Sequence, residues 1–327
     1  MIPCEWIAEA DERIAPHITN TPLTYDPELD LYLKWENHQV TGSFKVRGAF
    51  NKVLSLQAWE RERGFVAASA GNHGLGVALA AQMVQSRATI FVSENAVPSK
   101  VDAIHELGAD VHLIPGGYGE AETAGLEYAA STAAIWISPY NDGQIIAGQA
   151  TLGKELLRES SDSGNTTWIV PVGGGGLMAG LACSVHCDKP SSQQTQHNTT
   201  GLPKLIAVQS EASPFLHAVY HQGSQDGVVE LPSLADGLAG KIDQNSITIP
   251  ILRRYLDDFI LVSESEIMKA ITFAWERYRE RIEGSAAAAI AVVLENKIRA
   301  RPAVAIITGG NIQPEVHTTL CQESGVK

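Results

Sequence analysis

Short apolar runs alternate along this chain with longer stretches in which apolar positions return at helical spacing, and the alternation sets in after Gly64. Phe65-Val66-Ala67-Ala68 reads as a strand, Gly74 to Val84 as a helix and Ala88 to Val92 as the next strand, a β-α-β unit. Val101 to Leu107 then predicts a helix, Asp110 to Ile114 a strand, Glu120 to Ala130 a helix and Ala134 to Ile137 a strand. The same grammar continues with a helix over Ile145 to Leu157, a strand over Trp168 to Val172, a helix over Leu177 to Ser184 and a strand over Leu205 to Val208. Late helices over Glu264 to Tyr278 and Ser285 to Ile298 precede a final strand, Ala303 to Ile307. Asp188 to Gly201, rich in Ser, Gln, Thr and Asn, is expected as a mobile surface loop.

This pattern predicts an α/β fold of two domains, each a mostly parallel twisted sheet flanked by helices. The expected division is a large domain of residues 1–55 and 143–327 and a small mobile domain of residues 56–142. At 327 residues, 44% of them hydrophobic and 19% charged, the chain can bury a sizeable core, and two lobes sharing one site suit that length. A net charge of -13 argues against nucleic-acid and anionic-membrane partners. The N-terminus lacks a secretory pattern, and apolar runs such as Ala286 to Leu294 fall short of the roughly 20 residues of a membrane span. A cytoplasmic protein is expected, with Cys4, Cys183, Cys187 and Cys321 as free thiols.

Three segments offer chemistry. Lys45 follows Thr41-Gly42-Ser43-Phe44. A lysine is ordinarily a solvated surface residue, but burial by Phe44, Val46 and Ala49 would lower its pKa and leave an amine able to form an imine. Gly173-Gly174-Gly175-Gly176 joins a predicted strand to a predicted helix, where converging amides and the helix dipole suit a phosphate dianion. It lacks the Lys-Ser/Thr ending of a nucleotide P-loop. Ser69-Ala70-Gly71-Asn72-His73-Gly74 stands at the C-terminal end of a predicted strand, where parallel sheets bind ligands. The spacing of Gly71, Gly74 and Gly76 does not fit a dinucleotide fingerprint, and His73 reads equally as a satisfied core histidine.

Together with Ile146-Ala147-Gly148-Gln149, Glu283-Gly284-Ser285 and Thr308-Gly309-Gly310-Asn311, these segments resemble the fold type II (tryptophan synthase β-like) pyridoxal-phosphate enzymes, most closely the serine/threonine dehydratase and serine racemase group. The resemblance implies pyridoxal 5'-phosphate as cofactor and Lys45 as the catalytic, Schiff-base lysine. It implies a cofactor site of Phe44, Lys45, Asn72, Gly173, Gly174, Gly175, Gly176, Leu177, Gly237, Glu283, Thr308 and Gly309, with Asn72 on the ring oxygen and Thr308 beside the pyridine nitrogen. Ser69, Ala70, Gly71, Asn72 and His73 would grip the substrate carboxylate. The implied reaction is β-elimination of water from L-threonine or L-serine, giving a 2-oxo acid and ammonia, with a small-molecule amino acid as ligand and a homodimer as the common assembly.

Departures sharpen the expectation. Racemases of the group carry serine before the Gly-Asn pair; here Ala70 has no proton to transfer. The related divalent-cation site uses a glutamate and an aspartate, and here Glu211 is followed by His217 at the aspartate position, so no metal is expected. Cys183-Ser184-Val185-His186-Cys187 resembles a zinc half-site without a second half. Tyr140-Asn141-Asp142 differs from the residues common there and bears on the choice of amino acid. No appended regulatory domain is expected after Asn311. Alternatives are a racemase-like activity, a bulkier substrate such as 3-hydroxyaspartate or phenylserine, a β-replacement enzyme resembling cysteine synthase, a Ser43-Lys45 hydrolase or a non-catalytic binding module. The hydrolase lacks an oxyanion hole, and a binding module would not need a lysine at the imine position.

Overall fold

A computed structural model describes residues 2–159, 166–187 and 201–323. Among the described residues ten strands run in chain order: β1 (Leu23–Asp26), β2 (Leu31–Trp35), β3 (Phe65–Ala68), β4 (Ala88–Ser93), β5 (Asp110–Ile114), β6 (Ile135–Trp136), β7 (Thr167–Pro171), β8 (Lys204–Ser210), β9 (Asp258–Val262) and β10 (Ala303–Ile307). They make a six-stranded sheet in the order β1-β2-β10-β7-β8-β9 and a four-stranded sheet in the order β5-β4-β3-β6. Every pairing is parallel except β1 with β2, at one edge. Strands covered on both faces are continuous apolar runs, and β3, β7 and β10 are buried at every position. Of the loop expected over 188–201, all but Gly201 lies outside the described residues. Among the described residues no helix is long and apolar enough to cross a membrane.

The helix foreseen from Gly74 begins at Asn72, because the chain leaves β3 through Ser69–Gly71 directly into its first turn. The helix foreseen to Ile298 stops at Leu294, and Asn296 turns out of it at φ 51°. Helix Glu264–Tyr278 falls where its pattern predicts, opened by a capping box between Ser263 and Glu266.

Helix Lys45–Ser55 owes its position to glycines. It packs against helix Gly143–Glu159, where a Cβ on Gly148 would stand 2.5 Å from the Arg47 carbonyl and one on Gly48 would strike the Gln149 side chain. Helix Gly176–Cys187 then packs on Gly143–Glu159 through Gly180, whose Cβ would lie 2.7 Å from Ala150 N. Ile146 to Gln149 is therefore a packing motif that fixes the helix bearing Lys45.

A buried charge network locks the same place. Arg47, fully buried, donates to both oxygens of Glu36 at 2.7 Å, to Glu155 at 2.7 and 3.0 Å, and to Thr151 at 3.2 Å. Lys34, also fully buried, pairs with Glu155 at 3.1 Å and Glu159 at 2.8 Å. The network joins β2, the short helical turn Glu36–His38 and helices Lys45–Ser55 and Gly143–Glu159.

One expectation is corrected outright. Cys4 and Cys187 are not free thiols: they form a disulfide with a Cα–Cα distance of 5.5 Å. Helix Cys4–Ile14, absent from the predicted elements, packs on Gly143–Glu159 and Gly176–Cys187 and brings the chain start to the far end of the latter. Cys183 and Cys321 are free and buried. With its sulfur joined to Cys4, Cys187 is no zinc ligand.

Candidate active site

The C-terminal ends of β3, β7 and β10 open onto one cavity of about 790 Å³. Lys45 reaches it from the first residue of its helix, with Nζ donating to the Pro139 carbonyl at 3.2 Å and lying 5.3 Å from the Phe44 ring centroid. Burial lowers its pKa to about 8, against the opposing charge of Glu283. Phe44 N donates to the Thr308 carbonyl at 3.1 Å, so the lysine's helix starts from the end of β10. Val46 and Ala49, expected to shield the lysine, lie in the core of the smaller sheet; Phe44 is the neighbour that lines the cavity.

The four glycines after β7 cradle one end of the cavity. Gly175 has φ +84°, which disfavours any side chain. A Cβ on Gly173 would stand 3.1 Å from the Gly237 carbonyl, one on Gly176 would stand 2.9 Å from Tyr140, and one on Gly174 would enter the Tyr140 ring. Thr248 Oγ1 donates to the Gly174 carbonyl at 2.8 Å and holds the loop so that its amides open helix Gly176–Cys187, a geometry suited to an anion.

A polar chain crosses the other end. Asn72 Nδ2 donates to Glu283 Oε1 and Oε2 at 2.8 and 3.0 Å, and Asn311 Nδ2 donates to Asn72 Oδ1 at 2.7 Å and to the Thr41 carbonyl at 2.9 Å. Burial pushes the Glu283 carboxyl up to about 7, although the Asn72 bond pulls it down. Beside it the Thr308 hydroxyl is buried with no hydrogen-bond partner among the described residues. The Ser285 hydroxyl, part of the Glu283-Gly284-Ser285 motif but given no role there, accepts from Gly237 N at 3.1 Å.

Of the residues expected in the site, Phe44, Lys45, Ser69 to His73, Gly173 to Leu177, Gly237, Glu283 and Thr308 all line the cavity. Gly309 does not: it bridges to Ser43, and a Cβ there would stand 2.7 Å from the Glu283 carboxylate, so it backs the wall instead of forming it. His73 is a satisfied histidine whose Nε2 bonds the Ile137 carbonyl at 2.8 Å; burial and the Lys45 charge hold its pKa down at about 3. Within Tyr140-Asn141-Asp142 only Tyr140 faces the cavity, since Asn141 bonds Asp243 and Asp142 pairs with Lys52. Glu211 is exposed, and the His217 ring packs on His221 and Phe259. Tyr118, Glu122 and the Lys100–Asp236 ion pair at 3.0 Å also line the cavity; they carry no sequence signature because they stand on ordinary helix and loop positions.

A partnerless hydroxyl, an amine of lowered pKa and an anion cradle that side chains would fill fit a flat, phosphate-bearing group bound through Lys45. Comparison with known proteins agrees. The family model described as pyridoxal-phosphate dependent enzyme matches residues 14–309. The L-threonine ammonia-lyase of Thermotoga maritima is 37% identical over 334 aligned positions, covering 100% of this chain and 80% of that protein. The catabolic L-threonine dehydratase of Escherichia coli strain K12 is 37% identical, covering 94% of this chain and 92% of its own length. Among solved structures, the processed form of threonine deaminase isoform 2 from Solanum lycopersicum superposes with a TM-score of 0.85 at 29% identity, covering 98% of this chain and 93% of that one. The chain belongs to the family of pyridoxal-phosphate dependent enzymes, of fold type II, and its cofactor is pyridoxal 5'-phosphate.

Proposed function

We propose that this enzyme eliminates water from a small β-hydroxy amino acid, L-threonine or L-serine, and yields a 2-oxo acid and ammonia. The observation that carries the reading is the partnerless Thr308 hydroxyl in the cavity that also holds Lys45 and the glycine loop. When bound, pyridoxal phosphate supplies an electron sink for negative charge at the substrate Cα. A hydroxyl at the position assigned to its ring nitrogen donates or accepts one hydrogen bond but cannot hold that nitrogen fully protonated as a carboxylate would. Such a site favours prompt loss of the β-substituent over a long-lived carbanion.

Gly173 to Gly176 hold the phosphate through backbone amides, and Leu177 closes that end. Ser69 to His73, at the start of helix Asn72–Met83, hold the substrate carboxylate against the positive end of the helix dipole. Lys45, with a pKa near 8, removes the Cα proton as general base. The β-hydroxyl departs as water with the proton that Lys45 withdrew from Cα, and the enamine released from the site tautomerises and takes up one water to give the 2-oxo acid and ammonia. Ala70 offers no second proton donor, which disfavours a racemase, and relatives named threonine ammonia-lyase and dehydratase at 37% identity favour deamination.

The test is release of 2-oxo acid by the purified holoenzyme from L-serine, L-threonine, their D-forms and phenylserine, with Mg²⁺ or with EDTA. Turnover of an L-substrate that survives EDTA and falls at least about 1000-fold in Lys45→Ala supports the assignment. A yellow holoenzyme inert toward every β-hydroxy amino acid overturns it in favour of β-replacement.

A further inference from the structure

Asn311 closes the fourth motif of the site and takes no part in the proton transfers of the elimination. It stands behind Asn72, the cavity residue assigned to the ring oxygen of the cofactor. The Asn72 amide can turn either an N–H or a carbonyl oxygen toward that point. Hydrogen bonds that begin at a main-chain carbonyl decide which. Asn311 Nδ2 donates to the Thr41 carbonyl at 2.9 Å, and a carbonyl oxygen only accepts. The same nitrogen donates to the Asn72 side chain at 2.7 Å, so the atom it meets there is the amide oxygen. Asn72 Nδ2 is thereby turned the other way, toward the Glu283 carboxylate at 2.8 and 3.0 Å.

The donors do not all cancel. Asn311 spends its amide hydrogens on two separate acceptors. Asn72 cannot spend both of its own on Glu283, because the two oxygens of one carboxylate subtend only about 45° at so close a nitrogen, whereas amide N–H bonds diverge by about 120°. One hydrogen is shared between Oε1 and Oε2, and the other has no acceptor among the described residues. The chain also makes room for this fork. Gly42 has φ +71°, and a Cβ on it would stand 2.6 Å from Asn311 Oδ1. Gly310 N donates to the Gly42 carbonyl at 3.0 Å, which joins the segment before Lys45 to the segment that carries Asn311.

We propose that Asn311 is a positioning residue that holds the Asn72 amide with its nitrogen toward the cofactor, so that an N–H meets the phenolic ring oxygen of pyridoxal phosphate and stabilises the anionic form of that oxygen. Freed of the fork, the amide can turn over, and a carbonyl oxygen against the ring oxygen favours the protonated form instead. The inference rests on the cofactor placement that underlies the reading above, with Asn72 at the ring oxygen, and not on the elimination step.

The experiment is a double-mutant cycle read by absorbance of substrate-free holoenzyme after gel filtration, at one pH, in wild type, Asn311→Ala, Asn72→Ala and the double variant. It measures the ratio of the visible band of the ring-oxygen anion to the near-ultraviolet band of the protonated form. A hydrogen bond to a charged oxygen shifts such a balance by about tenfold or more, so the ratio should fall about 10-fold in Asn311→Ala and at least as far in Asn72→Ala. The double variant should match Asn72→Ala within about twofold, since Asn311 acts only through Asn72. A general structural role would instead move the spectrum in both backgrounds. Asn311→Leu keeps the side-chain volume without the donors and repeats the cycle should the alanine protein not fold. An unchanged ratio in Asn311→Ala, or a further fall when it is added to Asn72→Ala, overturns the proposal; an unchanged ratio in Asn72→Ala overturns it at its premise. Turnover of L-threonine is measured separately, and its absence would count against elimination while leaving the spectral cycle to decide the role of Asn311.

Discussion

Replacing Arg47 with methionine removes five hydrogen bonds to three acceptors and leaves two carboxylates facing each other in a nearly dry interior. Glu36 would keep only the Thr21 hydroxyl, and Glu155 only Lys34. Breaking one buried pair by deleting a partner costs about 3–5 kcal/mol, and here a single cation serves both acids, so about 5 kcal/mol is expected. For a chain of this size that is a fall in melting temperature of roughly 10 °C. Arg47→Lys keeps the charge without the planar fork and should lose about half as much. Adding Glu36→Gln to Arg47→Met should recover about 2 kcal/mol, because the stranded charge goes with it. Differential scanning calorimetry of the four proteins reads these steps. A melting temperature for Arg47→Met within about 2 °C of the parent would refute the account of the network.

Gly174→Ala should abolish cofactor retention because its methyl enters the Tyr140 ring, and Gly174→Ala with Tyr140→Gly should restore part of the yellow absorbance, read after gel filtration. The Glu283 pKa is raised in the fold, so the folded state favours the protonated acid; that stability is fully present below about pH 4.5 and is lost as pH rises through about 7. Glu283→Gln, which mimics the protonated form, should therefore gain stability over wild type by up to about 3 kcal/mol at pH 8 and gain none at pH 4, measured by denaturant titration of the cofactor-free protein. A gain independent of pH would refute the charge argument. Four cysteines less the two in the disulfide leave two thiols, so denatured, unreduced protein should titrate two; a titre of four would remove the bridge.

Strands buried on both faces announced themselves as continuous apolar runs, which is why β3 and β10 were located to the residue. Elements at the rim were harder to read. Helix Cys4–Ile14 buries only a narrow stripe of Ile7, Ala10 and Ile14, and β1 is a half-exposed edge strand, so neither has a long periodic signal. The lining of the cavity was legible where rare residues stand in fixed order, as at Lys45 and the four glycines. It was illegible where geometry comes from afar: Asn311 to Asn72 spans 239 positions, and the disulfide spans 183. That Gly309 stands behind the Glu283 carboxylate is a contact between distant parts of the chain, which a motif quoted in sequence does not display.

The three helices that meet at Gly48, Gly148 and Gly180 keep their spacing by what is missing from them. At Gly148 and Gly180 the nearest neighbours are main-chain atoms of the helices packed against them. A larger residue at Gly148 or Gly180 meets peptide groups, which cannot change rotamer, so the strain passes whole into the gap between amine and anion cradle. Tolerance to change should therefore be lowest at positions that touch no ligand at all, and mutational scans of this enzyme would mark an inert-looking helix seam as sharply as the cavity itself.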